Sequence, residues 1–510
     1  MKRFHFSNFN YHFKIHRLFL IAVFLLCTSS TQLFATNNFE FTPKVQKAYD
    51  YALSLRFQEA RSTILQIKLE DPENLIVYYI ENYIDFFTVF INEDEEEFKA
   101  LEKNKDYRLD RIKQGNKNSP YYLYIQAEIK LQWALARTKF EEYFTAFTEV
   151  KAAYKLLTKN QNLYPGFIAN KKSLGMLHAL VGTVPDSYKW GVKLLGGMDG
   201  TIEQGQREIK EVIDYASQHD YIFEEETIVL YTFLMLHLKN QDEMAWDIIN
   251  SGKLKCENNP LACFALANVA MRTGKNDEAI TILQNRPKGE QFLSFHYLDF
   301  MLGLAKLYRQ DNDADFYINR FVTRFKGRNY VKEAYQKLAW HSLLNGDVSG
   351  YYLNIALCRS KGEKTIEADK NAFKEAKIGE LPNKALLEAR LLFDGGYYQR
   401  AYSILNLKSE KSFQKKKFQL EYTYRLGRVT HKLKRLEEAI VYYQKTIDTG
   451  RNESYFFACN AALQIGHIYE ELYQTEKAKE YYKLCLSLRP DEYRNGLHQK
   501  AKAGLNRLKS

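Results

Sequence analysis

The chain contains little proline, glycine, tryptophan and cysteine: its 510 residues include 9 Pro, 25 Gly, 4 Trp and 6 Cys. So little proline and glycine excludes collagen-like and low-complexity classes and suits long runs of helix. Beyond the N-terminus, no segment approaches the roughly 18 consecutive apolar residues of a membrane-spanning helix. With 45% hydrophobic residues, the remainder is expected to be soluble and to bury an extensive core.

The N-terminus has the three zones of a secretory signal peptide. Four basic residues precede an apolar run over residues 18–27, and a polar segment ends at Ala35. This run is about half as long as a membrane-spanning helix, so a permanent anchor is the weaker alternative. We predict a signal peptide over residues 1–35, cleavage after Ala35, and a location in the periplasm or cell envelope. Cys27 also permits lipidation, although Leu26 stands where a small residue is normally required.

Charge and motifs point away from nucleic-acid binding and catalysis. The formal charge is +11, and four of the basic residues precede Thr36, which leaves +7 for the exported part. Basic and acidic residues are interleaved nearly everywhere, as on the solvated faces of amphipathic helices. The sequence lacks Gly-x-Ser-x-Gly, His-Glu-x-x-His and Gly-Lys-Ser/Thr motifs, and the eight histidines after residue 35 are far apart. We therefore predict no nucleic-acid partner, no catalytic residue, no cofactor and no metal ion.

The C-terminal part repeats a pattern of small residues. Gly427 is followed twelve residues later by Ala439; thirty-nine residues after the first copy, Gly466-x-x-Tyr469 is again followed by Ala478. Two antiparallel helices approach closely only where both present small side chains, so the spacing predicts helical hairpins. These residues resemble the tetratricopeptide motif. The resemblance implies an all-α, right-handed solenoid of helical hairpins, usually non-catalytic, whose concave face holds an extended peptide or a partner helix.

Further copies of the pattern occur along the chain. The clear ones pair Ala48 and Tyr51 with Ala60, Ala267 with Ala279, and Ala389 with Ala401; weaker ones pair Phe233 with Ala245, Ala305 with Tyr317, and Ala339 with Tyr351. First-helix anchors from residue 233 to residue 466 are spaced by 34, 38, 34, 50, 38 and 39 residues. We predict irregular N-terminal repeats over residues 36–218, central repeats over 219–378 and C-terminal repeats over 379–510.

Residues 175–205 form a glycine-rich insertion. Residues 175–209 hold seven of the 25 glycines, and residues 196–200 favour a tight turn between helices. The segment resembles a block of a eukaryotic tetratricopeptide group that includes inclusion-body-clearance proteins, which implies an adaptor near membranes or lipid stores. Its residues either form an apolar, partner-binding lip near the superhelix interior or belong to the core of an irregular hairpin. The predicted partner-binding residues are Met176, His178, Pro185, Tyr188, Trp190 and Leu194.

Five cysteines follow the predicted signal peptide, so they cannot all pair within one chain. Cys256 and Cys263 lie seven residues apart across Pro260. They either form a disulfide in an oxidising compartment or serve as small core residues.

The repeat and the signal peptide favour an exported, non-catalytic scaffold that binds a protein or peptide partner in the cell envelope. Two alternatives stay open. The 37 tyrosines also suit a carbohydrate- or lipid-binding module of an uptake or envelope-assembly system. A glycan-cleaving enzyme on a helical scaffold is the third hypothesis, which two acidic residues facing each other in a deep aromatic cleft would favour.

Overall fold

The computed structural model describes residues 37–183, 197–239 and 241–508, which form 24 α-helices. The predicted all-α fold of helical hairpins is confirmed. Within these ranges the one β-type pairing is an isolated bridge between Asn38 and Asn74. The predicted signal peptide lies outside the described residues.

The helices follow one another with short connections. The first ten are α1 (Pro43–Leu53), α2 (Phe57–Glu70), α3 (Ile76–Asn92), α4 (Glu95–Ile112), α5 (Pro120–Lys139), α6 (Tyr143–Leu163), α7 (Ala169–Gly182), α8 (Ile202–Ala216), α9 (Glu224–His237) and α10 (Asp242–Ile249). The others are α11 (Pro260–Arg272), α12 (Asn276–Asn285), α13 (Tyr297–Arg309), α14 (Ala314–Arg324), α15 (Val331–Leu344), α16 (Val348–Ser360), α17 (Glu367–Ile378), α18 (Lys384–Asp394), α19 (Tyr398–Asn406), α20 (Lys416–Lys432), α21 (Leu436–Gly450), α22 (Phe457–Glu471), α23 (Thr475–Ser487) and α24 (Arg494–Arg507). A short 3-10 helix, Glu410–Ser412, lies between α19 and α20.

Each pair of anchor residues lies on two successive helices. Ala267 is on α11 and Ala279 on α12, and Ala389 is on α18 and Ala401 on α19. All four are buried, with at most 1% exposure. The 50-residue spacing between the anchors at 339 and 389 arises because an additional helix, α17, packs against α15 and α16 before the next hairpin begins.

Three helices, α1, α5 and α11, begin with a proline in the first turn. Proline suits this position because a backbone N–H there would have no partner within the helix. In each case the side chain just before the proline accepts a hydrogen bond from a first-turn N–H; these caps are Thr42, Ser119 and Asn259. Local sequence therefore sets where these helices start.

Glycines in the first helix allow the C-terminal hairpins to close tightly. A Cβ added at Gly427 would lie 2.6 Å from a ring carbon of Tyr443, and one at Gly466 would lie 2.6 Å from a ring carbon of Tyr482. Both tyrosines are completely buried. Because interiors are close-packed, an alanine at either position would displace the ring or the helix.

Hairpin turns that are distant in sequence touch one another. Gly274, in the α11–α12 turn, and Gly396, in the α18–α19 turn, have φ angles of +77° and +84°. A Cβ on Gly396 would lie 2.4 Å from the carbonyl oxygen of Gly274, so glycine meets both the conformational and the spatial requirement. Next to them, the Tyr397 hydroxyl donates to Asp277 (2.9 Å) and accepts from Asn276 (3.1 Å), about 120 residues away in sequence.

A second long-range contact joins the N-terminal and central parts. Both the backbone N–H and the side-chain amide of Asn329 donate to Glu93 Oε2, at 3.0 and 2.7 Å. Lys139 pairs with the other carboxylate oxygen of Glu93 at 2.6 Å. Glu93 and Asn329 are buried and 236 residues apart in sequence, so the N-terminal and central parts touch at this point. None of the helices in the described ranges is both long and apolar enough to cross a membrane.

Candidate functional site

Two of the six predicted partner-binding residues lie in the described part of the chain. Met176, on α7, is partly buried and packs against an apolar cluster that includes Met235. His178 is 8% exposed. Its Nδ1 lies 2.6 Å from Glu208 Oε2 and 3.0 Å from the amide nitrogen of Gln204, both on α8. The other four predicted residues, Pro185, Tyr188, Trp190 and Leu194, lie outside the described residues.

Several glycines of this segment permit close contact between α7 and α8. A Cβ on Gly205 would lie 2.2 Å from the carbonyl oxygen of Gly175, and one on Gly175 would lie 2.7 Å from Ile209. A Cβ on Gly182 would lie 2.5 Å from the backbone nitrogen of Ile202. The backbones of α7 and α8 therefore lie in direct contact at these positions. Glycine is needed there because any larger side chain would push the two helices apart.

A buried polar network fills the space among five helices of the N-terminal part. Lys172, on α7, is 1% exposed. Its Nζ donates to Glu226 of α9 at 2.6 Å and to Glu128 of α5 at 3.0 Å. Tyr49 of α1 and Tyr83 of α3 donate their hydroxyls to the other carboxylate oxygen of Glu226. The lysine, two carboxylates and two hydroxyls thus satisfy one another away from water, as buried charges require.

The geometry determines the protonation states in the network. Burial acts to raise the pKa of Glu226, but Lys172 and the two tyrosine hydroxyls hold it below its usual value. Burial acts to lower the pKa of Lys172, but Glu128 and Glu226 hold it well above its usual value. Burial, reinforced by the charge of Glu226, raises the pKa of Tyr49 and Tyr83 well above the usual value. At neutral pH the lysine is therefore charged, Glu226 is ionised and both tyrosines are neutral donors.

Aromatic rings enclose the network. The Phe223 ring lies 5.8 Å from that of Tyr49 and 5.7 Å from that of Tyr124, and Lys172 Nζ lies 4.7 Å from its centroid. Phe223 itself is 1% exposed. Because α1, α3, α5, α7 and α9 each contribute a side chain, the space that these helices surround is occupied by the chain itself. A partner segment would have to displace the network to enter it.

A cleft of about 620 Å³ opens beside the network. One face of α1, the starts of α5, α7 and α9, and the connection before α11 form it. Its aromatic wall contains Phe41, Tyr121, Phe167 and Tyr221. Ring centroids are 5.3 Å apart for Phe41 and Tyr121, and 4.9 Å apart for Tyr121 and Phe167. Tyr221 also lies 5.7 Å from Phe223, which connects the cleft to the network.

Carboxylates predominate among the charged groups of the cleft. Asp50, Asp220, Glu224 and Glu225 line it, whereas Lys255 is its one basic lining residue in the described part of the chain. Glu224 pairs with Lys253 at 2.8 Å.

In the described ranges, the side chains of Asp50 and Glu225 have no ion-pair or hydrogen-bond partner. Burial raises the pKa of both, and the charge of Asp50 raises that of Glu225 further. A cation would relieve this repulsion. An ammonium or guanidinium group on an apolar stem would pair with the carboxylates while its stem lay against the rings.

The family model of the tetratricopeptide repeat matches residues 420–448 and 460–492. These are the hairpins α20–α21 and α22–α23, which contain the two C-terminal copies of the small-residue pattern. The chain therefore contains tetratricopeptide repeats in its C-terminal part. Such repeats indicate a scaffold for protein interactions.

Other comparisons add no functional information. One solved structure similar to this chain is the crystal structure of the APC/C hetero-tetramer Cut9–Hcn1. It has 12% identity and a TM-score of 0.21, with 91% of this chain and 89% of that chain covered. No curated protein matches the sequence.

The network and the cleft were not predicted from the sequence. Glu224, Glu225 and Glu226 open α9, and acidic residues in a first turn are common because they interact favourably with the helix dipole. Lys171 and Lys172 are adjacent, yet the first forms a surface ion pair with Glu211 and the second is buried. Which of two adjacent lysines is buried depends on which face of the helix packs against the core. The sequence does not identify that face for α7, because α7 lies in the part of the chain where the repeat pattern is weakest.

The cysteines of the described residues are all thiols. The Cys263 thiol donates to the carbonyl oxygen of Cys256 at 3.3 Å, so the predicted pair is in contact. A second pair, which was not predicted from the sequence, joins α22 and α23: the sulfurs of Cys459 and Cys485 are 3.6 Å apart. Across the described ranges, no three His, Cys, Asp or Glu side chains are placed to hold a metal ion.

Proposed function

We propose that the chain is an exported, non-catalytic scaffold that binds a basic segment of a partner protein in the periplasm or cell envelope. Three features support this proposal: tetratricopeptide repeats at residues 420–448 and 460–492, the signal-peptide pattern of residues 1–35, and the cleft between α1 and α9. Asp50 and Glu225, two carboxylates without partners beside aromatic rings, carry the assignment of the binding surface.

The proposed binding mode differs from that of an open concave groove. The Lys172 network already fills the space among α1, α3, α5, α7 and α9, and bound peptide would have to displace it. The cleft instead lies at the ends of several of these helices, where carboxylates and rings are accessible. In it, a lysine or arginine side chain would replace repulsion between Asp50 and Glu225 with two ion pairs.

A glycan-cleaving activity is the alternative function, because two carboxylates in an aromatic cleft are also typical of glycosidases. Glycosidases use one protonated and one ionised carboxyl group, which requires environments that separate the two pKa values. Here burial raises the pKa of Asp50 and of Glu225, and the charge of Asp50 raises that of Glu225 further. Cation binding and acid–base cleavage are both compatible with these directions, and an activity assay separates them. Glycan release by the purified protein, lost in Glu225→Gln, would support the alternative instead.

The experiment compares chemical crosslinking in intact cells by tagged wild-type chain, by Asp50→Asn/Glu225→Gln, and by the matched control Glu437→Gln/Glu480→Gln. The control removes two exposed acidic side chains from the C-terminal hairpins and so changes the net charge equally. We expect the wild type and the control to capture the same protein. The cleft variant should capture several-fold less of it, because it loses two partly exposed ion pairs that contribute up to about 1 kcal/mol each.

Each part of the proposal can fail separately. Capture by the cleft variant at the wild-type level would remove the cleft as the binding surface. Absence of any captured protein would contradict the scaffold. Cell fractionation, with N-terminal sequencing of the recovered chain, tests export: a cytoplasmic chain that still begins at Met1 would contradict it. Residues Met176, His178, Pro185, Tyr188, Trp190 and Leu194 remain a predicted second contact region.

A further inference from the structure

Cys459 and Cys485 face each other across the last hairpin matched by the family model. Their sulfurs are 3.6 Å apart, and their side chains are 1% and 0% exposed. A disulfide bond is about 2.05 Å long, so closing the bond requires the sulfurs to approach by about 1.5 Å. Rotation of two side chains on helices that already pack against each other can supply such a movement.

The position of the pair follows from the repeat itself. Cys459 precedes the anchor Gly466 by seven residues, and Cys485 follows the anchor Ala478 by seven. Seven residues are close to two turns of an α-helix, so each cysteine lies on the same face as its anchor. Since Gly466 and Ala478 bring α22 and α23 together, the cysteines meet two turns farther from the hairpin turn.

We propose that Cys459 and Cys485 form a disulfide bond that fastens α22 to α23. The proposal rests on the proposed export, because disulfides persist in oxidising compartments. Bond formation breaks two S–H bonds, makes one S–S bond, and releases two protons and two electrons. An oxidised dithiol oxidoreductase takes the electrons by thiol–disulfide exchange, and its own disulfide is reduced to two thiols.

The surroundings of the pair indicate when the bond forms. The Cys485 sulfur lies 4.0 Å from the carbonyl oxygen of Leu497 on α24, so the terminal helix covers it. The hydrogen bond from Cys485 lowers the pKa of the Cys459 thiol, which makes Cys459 the more readily ionised attacking sulfur. An enzyme has access to these buried sulfurs before α24 docks. Afterwards the finished bond is protected from reductants.

The other cysteines provide internal comparisons. Cys358 is completely buried and lies on α16, far in sequence from both pairs. It is expected to stay a thiol, which accounts for the odd number of cysteines after residue 35. Cys256 and Cys263 would produce a bridge from the connection before α11 to the start of that helix, whereas Cys459 and Cys485 join two helices.

The test refolds the full-length chain from denaturant in a buffer of oxidised and reduced glutathione, digests it without reduction, and identifies linked peptides by mass spectrometry. We expect a peptide pair joined through Cys459 and Cys485 in wild type and in Cys358→Ser, but not in Cys459→Ala/Cys485→Ala. Oxidised wild type should unfold about 3 °C above the same protein that has been reduced by a phosphine in denaturant, refolded and kept reduced. The double alanine variant should not respond to the reductant at this transition.

Absence of the linked peptide after glutathione refolding would overturn the proposal, wherever the protein resides. The same digestion is applied to chain isolated from its native cells under conditions that trap thiols. A linked peptide there supports both the bond and export. A bond that forms in glutathione but is missing in cells would show that the two cysteines can form the disulfide and would contradict export. Failure of the disulfide and failure of export are therefore distinguishable.

Discussion

Lys172→Met tests whether the buried network stabilises the N-terminal part. Methionine fills similar space but removes the ammonium that contacts Glu128 and Glu226. Removing one partner of a buried ion pair typically costs about 3–5 kcal/mol. Because Tyr49 and Tyr83 still donate to Glu226, we expect the lower end, a loss of about 3 kcal/mol in the free energy of unfolding at pH 7.5.

The cost of Lys172→Met should depend on pH with a definite sign. In the wild type the pKa of Glu226 is lower in the folded than in the unfolded chain. Its contribution to stability is therefore present above its unfolded pKa of about 4.3 and is lost as the pH falls through the folded value. Without the lysine, burial should raise the pKa of Glu226 relative to the wild type. Glu226 then binds a proton on mild acidification, so the deficit of the variant should shrink between pH 7.5 and pH 5.

The assay is urea unfolding at both pH values, with hydrogen exchange of α7 and α9 to localise the loss. Lys171→Met is the matched control: Lys171 is the adjacent residue, its side chain is 28% exposed and it pairs with Glu211 at the surface. Exposed pairs contribute about 0–1 kcal/mol. The reasoning would be refuted if both variants lost the same stability, or if the deficit of Lys172→Met did not change with pH.

Two further predictions use paired glycines. Gly466→Ala should lower stability by about 1–3 kcal/mol because its Cβ would meet a buried ring at 2.6 Å, whereas Gly496→Ala on α24, with no atom within 4 Å, should be neutral or stabilising in thermal unfolding. Gly396→Ala and Gly379→Ala both place an alanine at positive φ, but only Gly396 abuts Gly274. Hydrogen exchange should therefore show the α11–α12 turn opening in the first variant alone, and equal exchange in both would contradict a structural role for this contact.

The sequence predicts the hairpins well because their signals are local. Anchors such as Gly466 and Ala478 lie within one hairpin, and prolines such as Pro120 start helices by fixing the backbone of a single residue. The same helical phase places Cys459 opposite Cys485, so this pair could also have been predicted. Register along a helix and pairing across a short turn are encoded within a few dozen residues.

The contacts between distant hairpins could not be predicted in this way. Glu93 meets Asn329, 236 residues later, and Tyr49 meets Glu226, 177 residues later. Each hairpin is rotated slightly relative to the one before it, and these rotations add up along the chain to decide which distant hairpins meet. A single additional helix, such as α17, changes the total rotation. The cleft is formed by such contacts, which is why Asp50 and Glu225 are not recognisable as neighbours in the sequence.

Glu225 and Glu226 are consecutive residues of α9 with opposite expected roles, which gives a test of the division between network and cleft. Burial and the charge of Asp50 raise the folded pKa of Glu225, so its ionised form opposes folding at neutral pH. We expect Glu225→Gln to raise the free energy of unfolding by about 0.5 kcal/mol at pH 7.5, a typical cost of a like-charge pair, and the gain should vanish as the pH falls and Glu225 binds a proton.

Glu226→Gln should have the opposite effect. It removes a carboxylate whose folded pKa is lowered by Lys172 and two hydroxyls, and hydrogen bonds to charged groups contribute about 1.5–3 kcal/mol. The loss should be largest near neutral pH and should shrink on acidification. Crosslinking should change in the reverse order: Glu225→Gln weakens capture of the partner although it stabilises the chain, while Glu226→Gln retains capture wherever the protein is still folded. Parallel changes in stability and capture for both variants would contradict separate roles, because the network and the cleft would then act as one site.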